Sequence, residues 1–414
     1  MKTNPFEIKT KNPIDFVMNW NMIYPKSYDK KKVDPFTKLR IILMNGTEFE
    51  SVWFLHQMAR TVTDHDLKRE MALIRNSEQQ QQKRLACLKP LDEHFLETTI
   101  GYEQLAIELT SILAQNETDK NNLDCLNLAL LEDFDHLFRF ANLLKKDFKI
   151  EAETLLGKLT EVMPGRPTIS EHRHPYDQIK YSLNSKKADL NSRLTASIIT
   201  AAEQQTMNFY MNMAANYPSD IGRKLYGEIA MIEEIHVSQY ESLLDPNATF
   251  LENWLMHEYC ECYLYHSMAQ DETDPYIKGI YEEHFEMEVS HLKTVERLLK
   301  KYEKKDASLV LPNSDFPKLL KFNSNKDYVR KVLNDVYLTS DREKYIDVRK
   351  LDKSADFFNY NKTVNSDVKG VPSHAIINES IHVFNGTDYR YQDSPHPIKD
   401  LDDRKKDNTS VGRE

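Results

Sequence analysis

Apolar residues recur along this chain at helical spacing, and the pattern itself repeats four times. Frames starting at Glu48, Glu103, Glu203 and Glu258 each carry an apolar–alanine pair ten and eleven positions on: Met58-Ala59, Leu113-Ala114, Met213-Ala214 and Met268-Ala269. Forty positions on they carry Leu88, Leu143, Leu243 and Leu298. Offsets 0, 7 and 11 share one helical stripe, as do 30, 33, 37 and 40. Midway through each frame comes a turn signal: Thr63-Asp64, Thr118-Asp119 and Thr273-Asp274 at one offset, and Pro218-Ser219-Asp220 shifted by one. Side-chain oxygens of such residues accept the orphan N–H groups at helix starts. Each frame therefore predicts a helical hairpin. Four hairpins make two four-helix units, expected at 38–147 and 188–304.

The third and fourth copies align without gaps. Tyr210 falls on Tyr265, Tyr226 on Tyr281, Glu228 on Glu283, Glu241 on Glu296, and Leu243-Leu244 on Leu298-Leu299. Chance does not produce so many ungapped matches at one period.

Outside the hairpins the patterning weakens. Residues 1–37 hold prolines and aromatics and are expected to pack as an N-terminal arm. Residues 148–187 read as a linker, with Pro164-Gly165-Arg166-Pro167 followed by Glu171-His172-Arg173-His174-Pro175. That acidic and histidine cluster reads first as a surface loop, with a cover over a metal cleft as the alternative. Beyond residue 305 lies a C-terminal extension. One helix is expected near Pro317–Tyr337, extended and partly ordered chain to about 385, and a flexible end over 391–414.

Composition narrows the class. Only ten glycines in 414 residues suit long helices, and 40% hydrophobic content suffices for buried cores. A net charge of −10 argues against nucleic acid or an anionic membrane as partner. Charges interrupt every long apolar run, so no transmembrane span is expected. Cys87, Cys125, Cys260 and Cys262 form no CxxC pair, which predicts reduced, mostly buried thiols and a cytoplasmic location.

The chemistry sits inside the apolar register. Thirty and thirty-three positions after the third and fourth starts stand Glu233-x-x-His236 and Glu288-x-x-His291. With 65 acidic residues and 14 histidines, about two such matches arise by chance, so neither motif alone is specific. Their coincidence with the core stripe is specific, because solvated charges have no reason to follow it. Residues i and i+3 share a helix face, so both side chains of each motif reach one ion. Glu203, Glu233, His236, Glu258, Glu288 and His291 form the ligand inventory of a carboxylate-bridged two-metal site. Glu261, one turn after Glu258, is a candidate seventh ligand. Tyr210 and Tyr265 are candidate outer donors or radical relays, weighed against simple packing. The equivalent positions of the first two frames are Glu48, Glu78, Gln81, Glu103, Asp133 and His136. They read as a degenerate site, because Gln81 replaces a histidine and Asp133 is one methylene short.

These motifs resemble the ferritin-like superfamily, most closely its rubrerythrin-like di-iron branch, through Glu203, Glu233/His236, Glu258/Glu261 and Glu288/His291. The resemblance implies an all-α fold of two tandem ferritin-like four-helix bundles. It implies two iron ions, with manganese as the alternative, and chemistry linked to O2, peroxide or Fe2+. No cysteine knuckle for a rubredoxin-like iron is present. The connection at Asp245–Thr249 is too short to run the length of a bundle. Either each unit runs up-down-up-down, or hairpins exchange partners between units or subunits, and a homodimer is expected. Competing functions are a metal-stabilised assembly protein, a manganese catalase-like enzyme, and a hydroxylase needing an apolar channel to its metals.

Overall fold

The computed structural model describes residues 3–157, 159–162, 168–366 and 370–384. The chain is mostly helical. Its helices are α1 (Trp20–Ile23), α2 (Thr37–Ala59), α3 (His65–Ala86), α4 (Phe95–Asn116), α5 (Lys120–Phe148), α6 (Glu153–Leu156), α7 (Leu190–Asn216), α8 (Asp220–Glu241), α9 (Phe250–Asp271) and α10 (Pro275–Glu303). Then come α11 (Lys326–Val332), the antiparallel strands β1 (Leu338–Asp341) and β2 (Lys344–Asp347), α12 (Asp356–Val364) and α13 (Pro372–Phe384).

The expected turns are helix starts. Asp64 accepts from Leu67 N at 2.8 Å and Asp119 from Asn122 N at 3.0 Å. Ser219 accepts from Gly222 N at 3.3 Å, and Asp274 from Tyr276 N at 2.9 Å. The repeat also reaches the helix ends: α5 and α10 both stop at a left-handed lysine, Lys149 (φ 58°) and Lys304 (φ 56°). A positive φ at this position lets the last carbonyls find donors, at a cost that a non-glycine residue must absorb.

The chain divides into two compact units, and the division corrects the sequential pairing 38–147 and 188–304. Unit 1 is Met1–Glu93, Ser182–Gln205 and Leu244–Phe322; unit 2 is His94–Tyr181, Thr206–Leu243 and Asn323–Glu414. The first hairpin (α2, α3) therefore joins the fourth (α9, α10), and the second (α4, α5) joins the third. Every hairpin presents the same buried stripe, so the repeat shows that they are alike without showing which pairs with which.

In unit 1, α2 packs on α3 and α9, and α10 packs on α9 and α3. Arg40 ties α2 to the end of α9, donating to Asp271 at 3.0 Å and Glu272 at 3.1 Å. The N-terminal arm lies on this core as expected: Met18 and Ile23 cluster with Met287, and Met18 N donates to Gln80 at 2.7 Å. The N-terminal half of α7 docks through Gln205, which donates to Ile42 O at 3.0 Å.

In unit 2, α5 packs on α4 and α8, α13 covers α5 and α8, and α11 leans on α4 and α5. The C-terminal half of α7 enters through Phe209, stacked on Tyr102 at 5.0 Å. Residues 326–366 and 370–384 thus carry helices and a hairpin, correcting the expectation of extended, partly ordered chain. The helix expected over Pro317–Tyr337 is confined to Lys326–Val332 and a following 3-10 turn. The segment 314–318 is irregular instead, and its carbonyls at Ser314 and Lys318 accept from Tyr259 and Tyr263. Residues 163–167 and 391–414, including the Pro164–Pro167 turn and the expected flexible end, lie outside the described residues. Among the described helices, none is long and apolar enough to cross a membrane.

Candidate metal centres

The six residues expected to converge in one C-terminal bundle are divided between the units. Glu258, Glu288 and His291 stand in unit 1, and Glu233 and His236 in unit 2. Glu203 is buried on α7, in the part of that helix assigned to unit 1. Each group is completed by residues from the frames read as degenerate.

In unit 1, α2 supplies Glu48, α3 supplies Glu78 and Gln81, α9 supplies Glu258 and Glu261, and α10 supplies Glu288 and His291. All seven are fully buried. Ligand atoms of Glu78, Glu258, Glu288 and His291 lie within 4.8 Å of one another, as do those of Glu48, Glu78 and Glu261. Glu78 belongs to both groups, as a carboxylate bridging two ions would. His291 Nδ1 points into the cluster, 3.0 Å from Glu78 Oε1, 3.2 Å from Glu288 Oε2 and 3.8 Å from Glu258 Oε2. Gln81 Nε2 donates to the other Glu288 oxygen at 2.5 Å and to Glu48 at 3.0 Å.

The electrostatics of this cluster call for cations. Burial raises the carboxyls of Glu48, Glu258 and Glu261 well above the usual carboxylate range, and the nearby Glu78 carboxylate raises them further. Burial disfavours the His291 imidazolium, but Glu288 and Glu78 outweigh it and hold that imidazole well above its usual value. Glu78 Oε2, Glu258 Oε2 and both oxygens of Glu261 make no hydrogen bond. Buried carboxylate oxygens without donors are costly unless a cation or proton meets them. The residues therefore fit a pair of metal ions: five carboxylates, one imidazole and an amide converge on one interior point.

Unit 2 repeats the plan with two imidazoles. Glu103 on α4, Asp133 and His136 on α5, and Glu233 and His236 on α8 are buried. Ligand atoms of Glu103, His136 and Glu233 lie within 4.8 Å of one another, and those of Asp133, Glu233 and His236 do likewise. Glu233 stands between the histidines: Oε1 is 3.0 Å from His136 Nδ1, and Oε2 is 3.1 Å from His236 Nδ1. Despite burial, the two imidazoles hold the Glu233 carboxyl below its usual range. Glu288 in unit 1 is placed alike, with His291 at one oxygen and Gln81 at the other where His136 stands here, but burial and the Glu78 carboxylate raise its carboxyl.

Both tyrosines singled out by the repeat touch ligand carboxylates, on the opposing hairpin. Tyr210 donates to Glu103 at 2.6 Å. Tyr265 donates to Glu48, and His284 Nδ1 lies 3.0 Å from the Tyr265 oxygen. Trp254 donates to Glu258 at 2.5 Å.

The segment Glu171–His174 is a correction. Glu171, His172 and Arg173 are buried, not a surface loop. Glu171 Oε2 lies 3.7 Å from His136 Nε2. Arg173 pairs with Glu132, and Glu132 Oε2 lies 2.7 Å from His236 Nε2. His236 thus has a hydrogen-bonded carboxylate at the nitrogen facing away from Glu233, which fixes its ring orientation and raises its basicity, while Glu171 stands near the corresponding nitrogen of His136 without a hydrogen bond. Sequence reading missed Glu132, because nothing distinguishes it from the many helical glutamates except its place beside Asp133.

The cysteines match expectation: Cys125, Cys260 and Cys262 are buried, Cys87 is partly so, and all four are free. No protein-family model, curated protein or solved structure matches the chain.

Proposed function

We propose that this chain is a di-metal carboxylate protein with a two-ion centre in each unit, built on ferritin-like four-helix bundles and serving O2-, peroxide- or Fe2+-linked redox chemistry. The observation that carries the reading is the shared carboxylate. Glu78 in unit 1 and Glu233 in unit 2 each belong to two overlapping ligand groups, and Glu233 has an imidazole at each oxygen.

In unit 1 the ions would be held by Glu48, Glu78, Glu258, Glu261, Glu288 and His291. In unit 2 they would be held by Glu103, Asp133, His136, Glu233 and His236. When bound, a pair of iron or manganese ions supplies a two-electron redox change and open positions for a small oxidant. The chain's own residues define the surroundings. Tyr265 and Tyr210 hold Glu48 and Glu103 by hydrogen bonds, Trp254 holds Glu258, and Glu132 orients His236. The apolar helix faces around both clusters exclude bulk water. Glu261, which makes no hydrogen bond, is free to change its position as cluster charge alters.

The two donor sets differ. Mixed imidazole and carboxylate donors in unit 2 suit iron, whereas the oxygen-rich set of unit 1 makes manganese the stronger competitor there. Elemental analysis of purified protein tests the reading. We expect two ions per unit. A Glu288→Ala/His291→Ala variant should lose those of unit 1, and a His136→Ala/His236→Ala variant those of unit 2. Stoichiometric protein without transition metal, able to take up none, overturns it.

A further inference from the structure

Unit 1 contains a cavity of about 540 Å3, within the range of small-molecule sites. It is walled by α2, the N-terminal half of α7, the start of α9 and the segment near 305–310. Its position relative to the metal cluster is set by one side chain. His257 lines the cavity and lies one turn before Glu261, with Nε2 3.7 Å from Glu261 Oε1. Its Nδ1 is 3.2 Å from Glu50 Oε2, and Glu50 also lines the cavity. The two side chains are 12% and 17% exposed, so both reach the cavity rather than closing into the core. Phe54 stacks on the imidazole at 5.6 Å and fixes its plane. A molecule in the cavity is therefore separated from a cluster carboxylate by a single imidazole ring.

The remaining lining has an amphipathic pattern. Phe54, Ala196, Met256 and Val310 give an apolar wall. Lys305 is neutralised by Glu252 at 2.7 Å and Glu303 at 3.0 Å. Arg193 is different. Its guanidinium donates to Val310 O at 2.8 Å, and among the described residues it makes no ion pair. Burial lowers its pKa, only partly offset by the charges of Asp245 and Glu252. A half-buried guanidinium beside apolar surface, with donors to spare, matches the planar fork of a carboxylate.

We propose that this cavity binds an organic acid with an apolar body, its carboxylate on Arg193 and its hydrocarbon end against Phe54 and His257, beside the unit 1 cluster. The proposal rests on the metal-centre reading for any chemistry done on that molecule, but not for its binding. It supplies the apolar approach that a hydroxylase reading requires.

The test uses the full chain, with decanoate as probe and its neutral methyl ester as comparator, followed by isothermal titration calorimetry. Metal content is measured on the same samples. We expect decanoate to bind at least tenfold more tightly than the ester. Arg193→Met should remove that preference, Arg193→Lys should restore part of it, and Ala196→Phe should block both ligands by filling the cavity. Circular dichroism melts identify any variant that fails to fold, and the Arg193→Lys comparison then carries the test. Decanoate that does not bind to metal-loaded protein, or binding unchanged in both Arg193→Met and Ala196→Phe, overturns the pocket and leaves the metal reading standing. Decanoate binding by protein that takes up no metal keeps the pocket and sinks the metal reading.

Discussion

The Tyr210 phenol donates to Glu103 Oε1 at 2.6 Å, so a residue from the third hairpin holds a candidate ligand on the second. Burial and the adjacent Glu103 carboxylate both push the Tyr210 hydroxyl well above its usual pKa, which keeps it a donor at any physiological pH. Tyr210→Phe removes that donor while preserving ring packing against Phe140 and Tyr226. Loss of a buried hydrogen bond of this kind costs about 1–3 kcal/mol. Urea denaturation of the metal-free protein should show that loss. Unchanged stability would mean that the phenol contributes only packing.

Gln81 gives a constructive prediction. It stands at the repeat position of His136 and donates to Glu288 where His136 faces Glu233. Gln81→His should give unit 1 a second imidazole and raise its affinity for divalent iron or zinc roughly tenfold, following the preference of imidazole for these ions. Chelator competition reads this directly. Weaker binding would show that the wall around residue 81 does not accept the ring.

Arg173 is buried at the end of a chain running through Glu132 to His236. Arg173→Met removes the cation from that buried carboxylate. Disruption of outer partners of this kind costs about 10–100-fold in metal affinity. The loss should appear in unit 2 alone, with the two ions of unit 1 retained, and metal titration of the variant distinguishes the units. An equal loss in both units would mean general unfolding.

Glu108 yields a pH dependence of its own, since it belongs to neither ligand group. Burial raises its carboxyl to about 7, although Thr160 and Asn325 donate to it. Its folded pKa lies above the unfolded value near 4.5, so the folded state holds the proton more tightly. The stabilisation is complete below about pH 4.5 and is lost as pH rises through about 7. For a shift of this size it amounts to about 3 kcal/mol at most. Glu108→Gln should flatten the melting temperature profile across that window. A slope of the same size in the variant would assign it to other groups.

The four hairpins were legible because three signals coincide at each: the apolar stripe, the capping residue at midpoint, and the leucine near the end. Asp64, Asp119, Ser219 and Asp274 cap where the pattern placed them. The buried acidic positions were legible for a related reason, since Glu48, Glu78, Glu103, Asp133, Glu233 and Glu288 all lie in the apolar register. Partner choice was not. The contact between α3 and α10 depends on which stripe meets which, and all four stripes are alike. That ambiguity made Gln81 look like decay in a separate site, when it shares a cluster with His291. The Glu171–Arg173 segment was misread for another reason. Its burial depends on Glu132 and His136, far off in sequence, and charged residues on an irregular stretch carry no local sign of such partners. Beyond residue 325, short helices with mixed patterning lack the length that makes periodicity visible.

The pairing of first hairpin with fourth has a consequence for synthesis. On a ribosome, α2 and α3 emerge with their apolar stripe and acidic interior complete, yet the helices that cover them end at Glu303, about 200 residues later. At roughly 5–20 residues per second, that leaves a sticky, charged hairpin waiting on the order of 10–40 s for its match. The N-terminal half of this molecule is therefore the part most exposed to chaperone capture, and the last hairpin to be translated is the one that releases it.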